Sequence, residues 1–332
     1  MSTTQGRNIY HENKRTVLIL GATGGIGGAI AEALLRHGWS VRGLARNMQA
    51  AQRSTNLSID WHQGDAMDRD DVSRAATGVS TIVHAVNPQG YRNWSALVLP
   101  MIDNTIAAAR VAGGARVVLP GTIYNFNPAT TPVIHANSTQ APRSRKGAIR
   151  VELEHRLELA APEVPSLILR AGDFFGPGIR SSWFAQAMVA PNKPLERVTD
   201  VARGPGHSWA YLPDLAETFA CLLDITDRLS AFERLQFEGL HDANGSVLSD
   251  ALNHVAGRSL RHRRFPWWLM HVLAPFGGFP REASELAPYW RHSVRLDNHR
   301  LTELLGEEPR TPLNDAMVAT LRSMKSLSNE PG

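Results

Sequence analysis

Gly21, Gly24 and Gly27 stand three residues apart, between the apolar run TVLILG and a stretch with Ile26, Ile30, Ala33 and Leu34 at helical spacing. That arrangement suits one chemistry, the seating of a pyrophosphate. The first glycine turns the chain sharply off a strand. The second lacks the Cβ that would hold the anion away from the backbone, and the third lets the helix pack closely. Free N–H groups and the dipole at the helix start then face the negative charge. The cradle is expected to comprise Gly21, Thr23, Gly24, Gly25, Ile26 and Gly27.

The next strand ends in VRGLARN. Folds that prefer NAD place an acid there to hold the ribose hydroxyls. None is present, and Arg46 takes the place, with Arg42 as a weaker second cation. A guanidinium pairs bidentately with a phosphate. The expected cofactor is therefore NADP(H), with NAD(H) the lesser alternative; the competing reading makes Arg46 a solvated loop cation. Asp65 and Ala66, in GDAMD, are placed for the adenine, unless Asp65 is a turn aspartate. Ala85 and Val86 end the fourth strand and complete the expected cofactor lining.

These groups need a scaffold that alternates strand and helix. TVLILG, WSVRGLAR, LSIDWHQGD, STIVHAV, ARVVLPG and SLILR read as strands. Helical patterns cover about Ser95–Ala112 and Arg143–Leu159. The expected fold is α/β, a Rossmann-type doubly wound parallel sheet, with a smaller C-terminal substrate lobe. Residues 1–14 are expected to form a flexible tail. Residues 15–178 form the dinucleotide-binding domain, to which 207–228 return, and residues 179–206 and 229–332 form the lobe. WAYLPDLAETFACLLD reads as a short strand and a helix, and Leu313–Met324 as a terminal amphipathic helix.

Composition narrows the function classes. Among 332 residues, 35 Lys+Arg against 31 Asp+Glu leave a formal charge of +4. This suits an anionic small molecule and is too small to argue for nucleic acid. One cysteine, Cys221, excludes an internal disulfide framework and a multi-cysteine metal site; it reads as a small packed residue. No metal site is expected from the spacing of His, Asp and Glu. The N-terminus lacks an apolar signal segment, and the longest apolar stretch, Trp267–Phe279, is too short to span a bilayer. A cytoplasmic protein without stable membrane insertion is expected.

Over residues 15–225 the chain resembles the short-chain dehydrogenase/reductase superfamily, in its extended, epimerase/dehydratase-like branch. The resemblance rests on GATGGIG, on DNTIAAARVAG with Asn104, on LRAGDFFGPG with Phe175 where tyrosine is usual, and on HSWAYLPDLAE with Asp214. It implies a Ser or Thr after the fifth strand, which is Thr122 here, and a Tyr-x-x-x-Lys pair on the following helix. That pair is missing. In register, KGAIRVELE puts Lys146 at the tyrosine position and Arg150 at the lysine position, and Glu154 is kept. The resemblance also implies a possible homodimer.

Hydride transfer to a carbonyl needs a proton donor near the developing alkoxide. Arg150 keeps the role of a fixed cation toward the nicotinamide ribose but cannot act as an acid. Lys146 lies one helical turn from Arg150, and a neighbouring cation with partial burial lowers a lysine pKa. Lys146 is thus a proton donor or an electrostatic clamp, and Tyr124 is a second candidate acid. The expected function is an NADP(H)-dependent oxidoreductase or epimerase-like enzyme acting on a carbonyl or hydroxyl of a small molecule. The alternatives are a non-catalytic NADP(H)-binding regulator and a redox-neutral epimerase. His84 reads as a packed histidine more readily than a ligand. RHRRFPWWLMH reads as a solvated basic turn with a packed helix, as a pocket wall, or as a contact with an acidic membrane. Trp183, Phe184, Trp267 and Trp268 are candidates for an apolar substrate site.

Overall fold

The computed structural model describes residues 15–88, 94–179, 181–202 and 204–327; the tail expected at 1–14 lies outside them. Seven parallel strands form one sheet: β1 Thr16–Leu20, β2 Ser40–Ala45, β3 Ile59–Gln63, β4 Thr81–His84, β5 Arg116–Gly121, β7 Ser166–Arg170 and β11 Phe232–Gln236. Their order is β11-β7-β5-β4-β1-β2-β3. The chain runs outward from β1 in one direction and then in the other, so the carboxyl ends of β1 and β4 flank the reversal point where such sheets bind ligands. Leu20 pairs with His84 there.

Side chains alternate across a strand, and β1 supplies both faces. Val17 and Ile19 join Ile30 and Leu34 of α1 (Gly25–Arg36) and Leu215 and Phe219 of α6 (Leu212–Asp224) in one core. Leu18 and Leu20 join a second core. Its other members include Val72 of α3 (Arg69–Ala75), Ile102 of α4 (Trp94–Val111) and Leu153 of α5 (Arg145–Ala160). A short α2, Met48–Ser54, links β2 to β3.

The C-terminal half adds a third core, reaching from Ile123 to Met324. Around it lie β8 (Asp173–Phe175), β10 (His207–Tyr211) and β12 (Leu240–Asp242), joined in one small sheet. β9 (Arg197–Asp200) pairs with β13 (Arg261–Arg264), and β6 (Val133–Ile134) with β14 (Arg295–Leu296). The helices are α7 (Val247–Ala256), α8 (Trp267–Leu273), α9 (Gly278–Leu286), α10 (Pro288–Arg291), α11 (His299–Leu305) and α12 (Leu313–Ser323).

One boundary differs from expectation. Residues 232–236, assigned to the lobe that begins at 229, enter the large sheet as its outer strand. Phe232 pairs with Ser166, and the register runs to Gln236 opposite Arg170. Leu301 and Leu304 of α11 pack into the α1–α6 core as well. The polar alternation of FERLQ, which masked this strand, reflects its place at the sheet edge, where Glu233 pairs with Arg300.

Candidate functional site

The glycine turn has the shape a phosphate requires. Gly21 adopts φ +92, and a Cβ on it would lie 2.7 Å from the Ala85 carbonyl oxygen. This close approach of β1 to β4 places Ala85 and Val86 beside the turn. A Cβ on Gly27 would lie 2.3 Å from the Gly21 oxygen, so only glycine lets α1 start this close to the strand. Thr23, Gly24 and Gly25 face solvent, Ile26 is half-buried, and Gly24 caps α1 without a side chain on its N–H groups. The open N–H groups and the bare backbone fit a dinucleotide pyrophosphate. The later Gly/Pro loop closes the far wall, with Ile179 3.7 Å from the Cβ position of Gly25.

At the other end, Arg46 is exposed and makes no hydrogen bond or ion pair among the described residues. It lines a shallow groove with Gln63, Gly64, Asp65 and Arg74. Arg42 is not available for a phosphate. Its Nη1 donates to the carbonyls of Ala75 and Thr77, at 2.6 and 3.0 Å, and its Nε faces Asp60. It closes the end of α3 instead. Asp65 holds its own turn by accepting from the Met67 N–H at 3.0 Å, and Asn104 donates to the Ala66 carbonyl at 3.0 Å. Helix α4 thereby fixes the loop through its asparagine.

The candidate catalytic positions meet where α5 begins. Ser144 caps this helix by accepting from the Gly147 N–H at 2.9 Å. A Cβ on Gly147 would lie 2.1 Å from the Tyr124 carbonyl oxygen, so the first turn of α5 rests on the turn after β5. Thr122 caps that turn through a 3.4 Å bond from the Tyr124 N–H and keeps its own hydroxyl proton for another acceptor. Lys146 is buried. Its Nζ pairs with Glu282 and, at 2.9 Å, with Glu285, and its backbone N–H donates to Glu285 at 2.9 Å. Both acids come from α9, more than a hundred residues downstream. Sequence reasoning counted Arg150 and burial around Lys146 and missed these two counter-charges. Their i,i+3 spacing marks one helix face but carries no sign of its partner.

Arg150 lies half-buried with its guanidinium carbon 5.1 Å from the Trp94 ring centre, a cation–π contact. His84 is buried and bonded through Nδ1 to the Thr105 hydroxyl at 2.8 Å; that hydroxyl donates to the Met101 carbonyl, so Nδ1 carries the hydrogen. Burial, followed by the Arg150 charge, pushes the His84 pKa down to about 3. His84 is therefore a neutral, packed residue. Glu154 pairs with buried Arg170 through two bonds, 3.1 and 2.5 Å, and accepts from Gln140 at 2.9 Å. Tyr124 is buried, its ring 5.1 Å from that of Tyr289, whose hydroxyl donates to the Tyr124 carbonyl at 2.8 Å. Burial pushes the Tyr289 hydroxyl up to about 12. Asp214 accepts from the Thr311 N–H and hydroxyl at 2.8 and 2.6 Å, tying α6 to the C-terminal segment.

The four aromatic residues expected to line a substrate site part company. Trp183 and Phe184 are buried, and Trp183 lies 5.6 Å from Trp267 and 5.1 Å from Trp290, in the packed core of the lobe. Trp268 points away, largely exposed. One group that spacing did not reveal is His37, Glu217 and Cys221, with ligand-type atoms within 4.8 Å of one another. His37 donates to Asp224 and Glu217 at 2.6 and 2.7 Å. Burial lowers its pKa, but the two carboxylates outweigh this and raise it. The group is satisfied as an ion-paired clasp between α1 and α6. Cys221 is half-buried, its thiol pushed up by burial and the nearby acids.

Residues 21–149 match the NAD(P)H-binding family. The chain is 27% identical over 197 residues to a 3-diazoavenalumate denitrifying reductase from a Streptomyces species, over 54% of this chain and 64% of that one. It thus spans just under two thirds of that relative's length. A structure titled MoeE5 in complex with UDP-glucuronic acid and NAD superposes with a TM-score of 0.72 at 18% identity, covering 93% of this chain and 99% of the other. UDP-glucuronic acid 4-epimerase from Bacillus cereus gives a TM-score of 0.69 at 17% identity, covering 94% and 100%. The chain shares the Rossmann-type fold of these structures, a parallel sheet with helices on both faces. Among the described residues no helix is long and apolar enough to cross a membrane.

Proposed function

We propose that this chain, with its NAD(P)H-binding domain and extended short-chain dehydrogenase fold, is an NADP(H)-dependent oxidoreductase acting on a carbonyl or hydroxyl of a small molecule. Lys146 and Arg150 stand in for the usual tyrosine and lysine. The observation that carries the reading is the buried Lys146 cluster. A cation sits one turn from Arg150, against the turn that holds Thr122, and is gripped by Glu282 and Glu285.

Gly21–Gly27, Ala66, Ala85 and Val86 would hold the dinucleotide, and Arg46 favours the form with a 2′-phosphate. When bound, NADP(H) supplies or accepts the hydride. Thr122 donates its free hydroxyl proton to the substrate oxygen. Lys146 holds at Nζ the proton that this oxygen takes up on reduction. The Glu282 and Glu285 side chains are 24% and 23% exposed, so they connect Nζ to water and return the proton. Arg150 stays charged throughout, orients the ribose and stabilises the developing oxyanion. Tyr124, packed under Tyr289, serves the shape of the turn.

One observation favours a second reading. Two carboxylates close in Lys146, as suits a cofactor-binding regulator that has lost the acid. The deciding experiment is NADPH and NADH oxidation over a panel of aldehydes and ketones, with cofactor binding measured separately. The oxidoreductase reading expects net oxidation, faster with NADPH. Tight binding with no oxidation of any carbonyl supports the regulator, and isomerised product without net cofactor change supports a redox-neutral epimerase.

A further inference from the structure

The corner made by α8, the turn after it and α9 presents large apolar side chains to solvent. Trp268 is 70% exposed, Val272 61%, Phe276 86% and Phe279 47%. Trp268 and Val272 lie four residues apart, on one face of α8; Phe276 and Phe279 follow at the bend. Gly277 and Gly278 adopt φ +84 and +63, which lets the chain reverse tightly and leaves Phe276 projecting, while the Phe279 ring rests one side on Trp183, 5.9 Å between centres. Soluble surfaces scatter such residues singly, whereas a run of them marks a contact.

Along the chain this corner is basic, while the β9 segment, paired with β13, brings Glu196 and Asp200 to its edge, Asp200 lying 3.2 Å from His262. Residues 261–281 contain four arginines and two histidines and no Asp or Glu. Their formal charge of +4 equals the excess of the whole chain. All four residues of β13, Arg261–Arg264, are exposed. Arg281 bonds the carbonyls of Ala274 and Pro275 at 3.4 and 3.2 Å, and so sits at the root of Phe276. Arg291 lies against His271 at 2.8 Å. The two acids of α9 described above turn the other way, onto Lys146. From α8 to α9, then, the two acids pair with Lys146 while Trp268 and Phe276 face solvent.

We infer that this corner binds the surface of an anionic lipid bilayer. Protruding Trp and Phe enter the boundary between headgroups and acyl chains, and the flanking arginines meet lipid phosphates. Helices of seven and nine residues are too short to cross, so the chain lies on the membrane. A projecting apolar edge ringed by cations fits a fluid, negative surface.

The test is sedimentation of the full chain with vesicles of phosphatidylcholine alone and with about one third phosphatidylglycerol, alongside the blue shift of tryptophan emission. Binding is expected on the anionic vesicles, at least about tenfold stronger than on the neutral ones and weakened by salt. Trp268→Ser with Phe276→Ser is expected to weaken it at least about tenfold while leaving the melting temperature unchanged, because both side chains are exposed. Arg261→Gln with Arg263→Gln and Arg264→Gln is expected to remove the preference for anionic lipid. No sedimentation with either vesicle, or equal sedimentation of the Trp268/Phe276 variant, overturns the inference. So does a concentration-dependent dimer that this variant abolishes, which would assign the corner to a second copy of the chain.

Discussion

The two ends of the ligand-facing strand edge are built from opposite materials. At Gly21–Gly27 the chain removes side chains and leaves the backbone N–H groups open at the start of α1. At the start of α5 it crowds charged side chains together, and half of them come from another core. The first site depends on local sequence and a strand-to-helix turn. The second exists only once α9 has docked. A site made of backbone tolerates little added volume. A site made of paired charges tolerates volume but not the loss of a partner.

The sharpest way to break the contrast is to add atoms to the glycine turn. In Gly27→Val the new Cβ meets a backbone oxygen at 2.3 Å that cannot swing away. A loss of about 1–3 kcal/mol in stability is expected, with NADPH affinity down at least a hundredfold, an order-of-magnitude figure for about 3 kcal/mol. Thermal melting and calorimetric titration check both. At the other site, Glu282→Gln with Glu285→Gln leaves Lys146 buried without its counter-charges. Turnover is expected to fall by about tenfold or more and its pH profile to move, while NADPH binding is kept. If binding falls in step with turnover, the two sites are not separate in the way described.

Arg46→Ala is expected to weaken NADPH by about ten- to a hundredfold, the value of one charge-assisted contact, with NADH unchanged. Equal loss for both cofactors would remove Arg46 from the 2′-phosphate. His84 tests the link between the halves through pH. Its folded pKa is about 3 against 6.5 unfolded, so the unfolded chain binds the proton first. Stability is then lost as pH falls below about 6.5, by about 1 kcal/mol near pH 6. His84→Gln is expected to flatten this acid limb of the melting curve.

Legibility in the sequence followed the same division. The parallel sheet and the glycine cradle could be read because apolar runs, glycine spacing and helical periodicity are local signals. Arg46 stands exposed at the end of β2, and that position is itself a local signal. Arg42 could not be excluded, because its carbonyl partners belong to α3, and nothing in VRGLARN points to them. Glu282 and Glu285 were invisible for the same reason, since their meaning lies in a partner 136 and 139 residues away. The aromatic residues of the lobe misled. Composition says that Trp183 and Trp267 are large and apolar, and only packing tells a core from a pocket. The outer strand β11 was hidden by polar residues that an edge strand accommodates.

In the proposed mechanism Lys146 moves the proton while Arg150 positions the cofactor. The most direct test is turnover and NADPH dissociation constant measured together in Lys146→Met and Arg150→Met. Lys146→Met is expected to keep NADPH affinity and lose about a hundredfold or more in turnover, whereas Arg150→Met loses both. Full turnover in Lys146→Met, with binding intact, would contradict it.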